Sequence, residues 1–138
     1  MNAVYQTSAT VTGGRNGHVK SNDGILDLEV RIPKEMGGTG GHSNPEQLFA
    51  AGNAACFDNA LNLLIRQEKV QTESPSEVTA TVGIGQNETG GYQLLVKLAA
   101  RIPDLDKEKI VELLKKAHQA CPYSNAARGN IDVELEAI

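Results

Sequence analysis

Positive charge is in short supply in this chain, and so is cysteine. Lys and Arg total 13 against 17 Asp and Glu, a net charge of −4, and the basic residues are scattered. A surface for nucleic acid or an anionic membrane needs a concentrated positive footprint, so neither partner is expected. The opening residues, MNAVYQTSATVTGG, have neither the basic start nor the apolar run of a secretory signal. The longest apolar stretch, inside residues 44–70, is interrupted by Asn53, Asp58 and Asn62, so it does not read as a membrane span. The glycine-rich segment 37–43 ends Gly41-His42-Ser43, without the Lys that a phosphate loop requires. There is no Gly-x-Ser-x-Gly elbow, which removes the usual serine hydrolase. His18, His42 and His118 show no ligand spacing with either cysteine, so no metal and no other cofactor is expected. Only Cys56 and Cys121 remain as a thiol pair. Without an export signal they place the chain in the reducing cytoplasm, where such a pair is catalytic, redox-sensing or simply buried.

What the chain does contain is a long apolar helix flanked by alternating strands. Its 138 residues suit a single domain spanning 1–138. Alternation marks strands over 4–12, 18–21 and 26–32, separated by turns at Gly13–Gly17 and Asn22–Gly24. Asn44-Pro45 opens the central helix, and Leu48, Phe49, Ala54, Phe57, Leu61, Leu64 and Ile65 make it apolar almost all round. Two more strands alternate over 78–84 and 92–100 around a hairpin loop at 87–91. Asp104 or Asp106 caps a second, amphipathic helix, which Cys121-Pro122 interrupts, and a final strand spans 131–137. The order βββ-α-ββ-α-β predicts an α+β fold, antiparallel strands wrapped around a buried central helix.

Two readings of Cys56 stay open from the residues alone. Free cysteine is often a small core hydrophobe. Equally, Cys56 in a buried helix and Cys121 at a chain break suit an attacking and a resolving thiol. A thiol attacks as thiolate, and burial raises its pKa, so reactivity would need a nearby cation. Arg15, in its glycine-flanked turn, is the candidate, against the plain alternative of a solvated turn arginine. A buried arginine needs an anion in turn, and Glu46, at the start of the central helix, is the candidate, against the alternative of a first-turn glutamate favoured by the helix dipole. Glu46 and Cys56 are ~15 Å apart along a straight helix. Either the helix is distorted near Gly52 or Glu46 comes from a partner subunit. Gly52 and Ala60, one turn either side of Cys56, leave space above the sulfur. Phe49, Ala60 and Leu63 add an apolar shoulder that favours a greasy substrate. Whether Cys121 sits at the negative end of the preceding helix or at the start of a new one, with the opposite effect on its thiol, is undecided.

The segments Gly13-Gly14-Arg15-Asn16-Gly17, Asn44-Pro45-Glu46-Gln47-Leu48-Phe49-Ala50, Ala54-Ala55-Cys56-Phe57, Cys121-Pro122-Tyr123-Ser124-Asn125 and Arg128-Gly129-Asn130 together resemble the organic hydroperoxide resistance (Ohr) branch of the OsmC family. The resemblance spans nearly the whole chain, and Cys-Pro-Tyr-Ser-Asn is its most specific part. It implies a thiol-dependent peroxidase for organic (alkyl or fatty-acid) hydroperoxides, working as an intertwined homodimer with interface active sites. Cys56 would be peroxidatic and Cys121 resolving, the two forming a disulfide. Arg15 would stabilise the thiolate and the peroxide, and Glu46 would orient Arg15. Phe49, Gly52, Ala60 and Leu63 would line the substrate pocket. Recharging would come from a lipoyl-bearing protein or another dithiol, with no metal or haem. The rival is a peroxide-sensing thiol switch without turnover.

Overall fold

The computed structural model describes residues 1–138, which divide into two compact units, Met1–Leu48 and Phe49–Ile138. In the first, β1 (Ala9–Thr12), β2 (His18–Ser21) and β3 (Asp27–Glu29) form an antiparallel meander in sequence order. Val11 faces Val19, and Val19 faces Leu28. The turn between β1 and β2 depends on glycine. Gly13 and Gly14 have φ of 85° and 57°, a region L side chains avoid. At Gly17 a Cβ would lie 1.7 Å from the Thr12 carbonyl oxygen. β2 has the predicted bounds, whereas β1 and β3 are shorter than alternation predicts. β1 begins only at Ala9, and Val4 and Tyr5 remain exposed. Val30 and Gly17 exchange hydrogen bonds as one further pair beyond β3, after which the chain turns away and the Arg31 N–H donates to the Ser43 carbonyl.

α1 (Pro45–Gln67) opens in this unit and continues through the second. The Asn44 side chain accepts from the Gln47 N–H at 2.8 Å, an N-cap. Its burial is one-sided: Asn53, Phe57, Ala60, Leu61 and Ile65 are buried, whereas Ala51, Ala55 and Leu63 are exposed. By length and composition alone α1 could cross a membrane. Phe57 and Leu61, both fully buried in the second unit's core, mark it instead as a core helix.

The second unit carries a long hairpin, β4 (Glu77–Gln86) and β5 (Tyr92–Arg101), paired antiparallel from Glu77–Arg101 to Gln86–Tyr92. α2 (Lys107–Ala120) follows, with the Asp106 side chain accepting from the Lys109 N–H at 2.8 Å. A short α3 (Pro122–Ala127) and β6 (Val133–Ala137) complete it. The α+β class and the strand and helix order are those predicted, with one difference. β6 runs parallel to β5, because a chain leaving β5 through helices re-enters the sheet in the same direction. Pro122 both ends one helix and starts another, the alternative the sequence left open, since its fixed φ and missing N–H fit a first helical position. The core runs from Phe57 and Leu61 through Leu98, Ala100 and Ile102 to Ile110, Leu113, Leu114, Ala117 and Cys121.

Candidate active site

Cys121 is held by two helices at once. Its N–H donates to the Ala117 carbonyl at 2.8 Å, closing α2, and its carbonyl accepts from the Asn125 N–H at 2.9 Å, opening α3. Its φ of −70° and ψ of 125° are the extended geometry that a following proline demands. The question of which helix end it occupies is therefore answered by both. Packed in the core at 0% exposure, its thiol has little freedom. Cys56, half-buried on α1, faces it: the two sulfurs are 3.6 Å apart and both thiols are free.

Burial pushes the Cys56 thiol up, the backbone N–H of Tyr123 pulls it down by hydrogen bonding to the sulfur, and the Cys121 thiol raises it again. Burial is the largest of these effects. No cation of the second unit acts on this sulfur, so the pair as seen is poised but not activated.

The other two predicted residues also meet each other, within the first unit. Arg15 lies in the 3-10 turn Gly14–Asn16 and Glu46 in the first turn of α1. The guanidinium donates to both carboxylate oxygens, at 2.9 and 2.6 Å. This fork-on-fork geometry is the strong form of the interaction. It holds the Glu46 carboxyl below the usual carboxylate range and raises Arg15 further. The pair is part-buried, with 32% and 14% of the side chains exposed. α1 is helical without interruption through Gly52, so the ten residues from Glu46 to Cys56 keep their ~15 Å separation along the axis.

The four residues predicted to line a pocket are placed differently from one another. Phe49 lines a cavity of about 630 Å3, together with Tyr92, Leu94, Pro122, Tyr123 and Ile131. Ala60 is buried and Leu63 is exposed, and neither lines that cavity. The space over Gly52 is occupied: a Cβ there would stand 2.6 Å from the Tyr123 hydroxyl oxygen. Tyr123 is the residue that sequence reasoning passed over. It lies inside the Cys-Pro-Tyr-Ser-Asn segment, and its signal was the glycine one turn before Cys56, a vacancy that some side chain had to fill. No three His, Cys, Asp or Glu side chains converge as a metal-ligand set. His18 is bonded through its two ring nitrogens to Glu29 and Asp27.

Residues 38–136 match the OsmC-like protein family. An organic hydroperoxide resistance protein of Xanthomonas axonopodis pv. citri is 48% identical over 133 residues, covering 96% of this chain and 93% of that one. The crystal structure of an organic hydroperoxide resistance protein from Elizabethkingia anophelis superposes with a TM-score of 0.93 at 56% identity, covering 99% of this chain and 98% of that one. OhrB of Bacillus subtilis superposes with a TM-score of 0.88 at 43% identity, covering 99% and 100%.

Proposed function

The chain belongs to the OsmC-like family and, within it, to the organic hydroperoxide resistance proteins, and we propose that it is a cysteine-based peroxidase reducing organic hydroperoxides to alcohols. The observation that carries this reading is the 3.6 Å between the Cys56 and Cys121 sulfurs. An oxidised Cys56 at that distance needs only ~1.5 Å of approach to reach disulfide bonding length.

The Cys56 thiolate attacks the terminal oxygen of the hydroperoxide. The O–O bond breaks, the alkoxide leaves and takes up a proton, and the sulfur, oxidised by two electrons, becomes a sulfenic acid. The Cys121 sulfur then attacks the Cys56 sulfur. The S–O bond breaks, hydroxide leaves with the Cys121 proton as water, and a Cys56–Cys121 disulfide forms. An external dithiol, a lipoyl-bearing protein or a small dithiol, restores both thiols by exchange and is itself oxidised. Cys56 is the accessible partner and Cys121 the buried one, which supports the first as attacker and the second as resolver. The apolar cavity beside Phe49 suits the substrate's hydrocarbon.

Burial alone leaves Cys56 protonated, so the attack requires a cation, and Arg15 is our assignment. Held by Glu46, it would stabilise the thiolate and orient the peroxide. Since Glu46 lies ~15 Å along an unbroken helix from Cys56, we assign the pair to the thiol of a second copy. The active form is then a homodimer with its sites at the interface. The exposed apolar residues Ala51, Ala55 and Leu63 on α1 support such a contact. Such a cycle belongs in a reducing, cytoplasmic compartment.

Mass spectrometry after one equivalent of cumene hydroperoxide tests the roles. The wild type should form the intramolecular disulfide, Cys121→Ser should trap oxidised Cys56, and Cys56→Ser should be inert. Oxidation falling on Cys121 in that last variant would reverse the assignment. Repeated turnover with dihydrolipoamide identifies an enzyme, whereas one stoichiometric oxidation identifies a sensor.

A further inference from the structure

Three residues spaced along one face of α1, Phe49, Gly52 and Cys56, are all covered by a single residue of α3. The Phe49 and Tyr123 rings meet edge to face, 6.0 Å between centroids at 70°. One turn further on, the Tyr123 phenol fills the notch at Gly52. A Cβ there would lie 2.6 Å from its oxygen, 3.1 Å from Cζ and 3.4 Å from Cε2. One turn beyond that, the Tyr123 backbone N–H acts on the Cys56 thiol and draws its pKa down. Side chains on a helix lean toward its N-terminus, so the Cys56 sulfur projects back toward the level where the phenol is seated. Tyr123 also lies two residues after Cys121, on the rigid Cys-Pro start of α3. Whatever fixes Tyr123 against α1 therefore fixes the distance between the two sulfurs.

We infer that Tyr123 is the positioning residue of the Cys56 thiol, and that position 52 is glycine because the Tyr123 phenol occupies the place of its side chain. The ring, gripped between Phe49 and the Gly52 notch, sets α3 against α1. The first turn of α3 then presents one N–H to the sulfur that must carry negative charge, and holds the Cys121 sulfur within reach of it. Phe49 and Tyr123 are both lining residues of the 630 Å3 cavity. A phenol driven out of its notch has that cavity to enter, so crowding position 52 re-aims the site without having to unfold it. The inference rests on the peroxidatic reading of Cys56 given above.

The test uses the full-length protein with two readouts: the midpoint of the pH profile for Cys56 alkylation by iodoacetamide in the Cys121→Ser background, and hydroperoxide consumption in the otherwise native chain. Gly52→Ala should move the alkylation midpoint up and slow consumption by about tenfold, within the range expected for a misplacement of under an ångström. Adding Tyr123→Phe removes the oxygen that the new methyl meets at 2.6 Å and leaves the next atom at 3.1 Å. The double variant should thus regain at least about threefold over Gly52→Ala, a coupling between touching residues. An unchanged midpoint and rate in Gly52→Ala, or a double variant no better than the single, overturns the inference. If Gly52→Ala does not fold, the ordering of two variants at Tyr123 decides. Tyr123→Ala, which loses the grip on Phe49, should raise the midpoint further than Tyr123→Phe, and equal midpoints overturn the inference. A wild type that alkylates normally but consumes no hydroperoxide refutes the peroxidase reading, while the midpoints still judge the clamp.

Discussion

The two units of this chain solve the problem of burial in opposite ways. Phe49–Ile138 closes a continuous core, with Phe57, Leu61, Leu113 and Cys121 at 0% exposure. In Met1–Leu48 only Val19 and Val30 are buried, while Val4, Tyr5, Val11, Ile25 and Leu28 are left exposed. A three-stranded sheet with bare apolar side chains on it is marginal without a covering surface. The thiols sit in the self-sufficient unit and the Arg15–Glu46 pair in the dependent one. On the dimer we propose, that division means the thiols are placed by the chain's own core, whereas the activating cation arrives only with assembly. A free chain would then be a weak nucleophile, protected from wasteful oxidation until it finds its partner.

The sharpest way to break that division is chemical. Arg15→Ala should lower kcat/KM for hydroperoxide by about 10²–10³-fold, the scale of a lost charge-stabilising contact. The core unit should keep its fold, checked by hydrogen exchange at Leu98 and Leu113. Mixed dimers refine the result. With Cys56→Ser in one chain and Glu46→Ala in the other, one intact site survives only if the pair acts across the interface. Loss of both sites would place Glu46 with its own chain's thiol.

Stability offers the next contrast. Phe57→Ala should cost about 3–5 kcal/mol in denaturant unfolding, the usual cost of an aromatic removed from a closed core. Val19→Ala, in the open sheet, should cost about 1–2 kcal/mol, the transfer value of the methyl groups lost. Equal costs would mean that the first unit has a core of its own. Dilution tests the same point from the other side. If the sheet is covered by a second copy, the thermal midpoint should rise by a few degrees, ~2–4 °C, for each tenfold increase in protein concentration. A concentration-independent midpoint with an ordered first unit would remove the need for a partner.

The same difference explains what could be read in the sequence. Alternation in β4 and β5 and the 3.6-residue period of α2 were legible because each element has one wet and one dry face within its own unit. The strand predicted for 4–12 shrinks to Ala9–Thr12 because a periodic pattern records that a face is meant to be covered, without recording by what. Both residue pairs could be nominated from their types, thiol with thiol and arginine with carboxylate. The 3.6 Å and 2.6 Å contacts could not. Tyr123 escaped because Gly52 reads in the sequence as open space above the sulfur, and nothing in a residue type says which distant side chain fills such a space. The parallel β6 was hidden because a strand's period is the same in either direction.

Acid should loosen the dependent unit first. Arg15 holds the Glu46 carboxyl below its ordinary range, so between that range and the lowered value the unfolded chain binds more protons than the folded one. The pair's stabilising contribution is present above the ordinary carboxylate range, ~4.3. It is lost as pH falls through the depressed folded value. With 32% of the Arg15 side chain exposed, screening limits the contribution to about 1 kcal/mol or less. Amide resonances of the Gly13–Gly17 turn should shift as that value is crossed, and Glu46→Gln should shift them already at neutral pH. Equal acid sensitivity in both units would detach the turn from the ion pair.

The smallest effect belongs to the other charged group of the first unit. His18 bridges Glu29 at 2.9 Å and also Asp27, and Glu29 first, then Asp27, raise its pKa. For a raised base the stabilisation is complete below the unfolded value, ~6.5. It fades as pH rises through the higher folded one. The trio is open to water on every side chain, at 41–46% exposure, where the ions were never desolvated and salt screens what attraction remains. An NMR titration should therefore place the His18 midpoint above that of an ordinary histidine. His18→Gln should leave the denaturant midpoint unresolved from wild type both below and above that titration. A clear loss confined to the lower pH would mean that the three side chains act as a cross-strand staple. The first unit would then own a stabilising feature independent of any covering partner, and its dependence on assembly would have to be reduced by that amount.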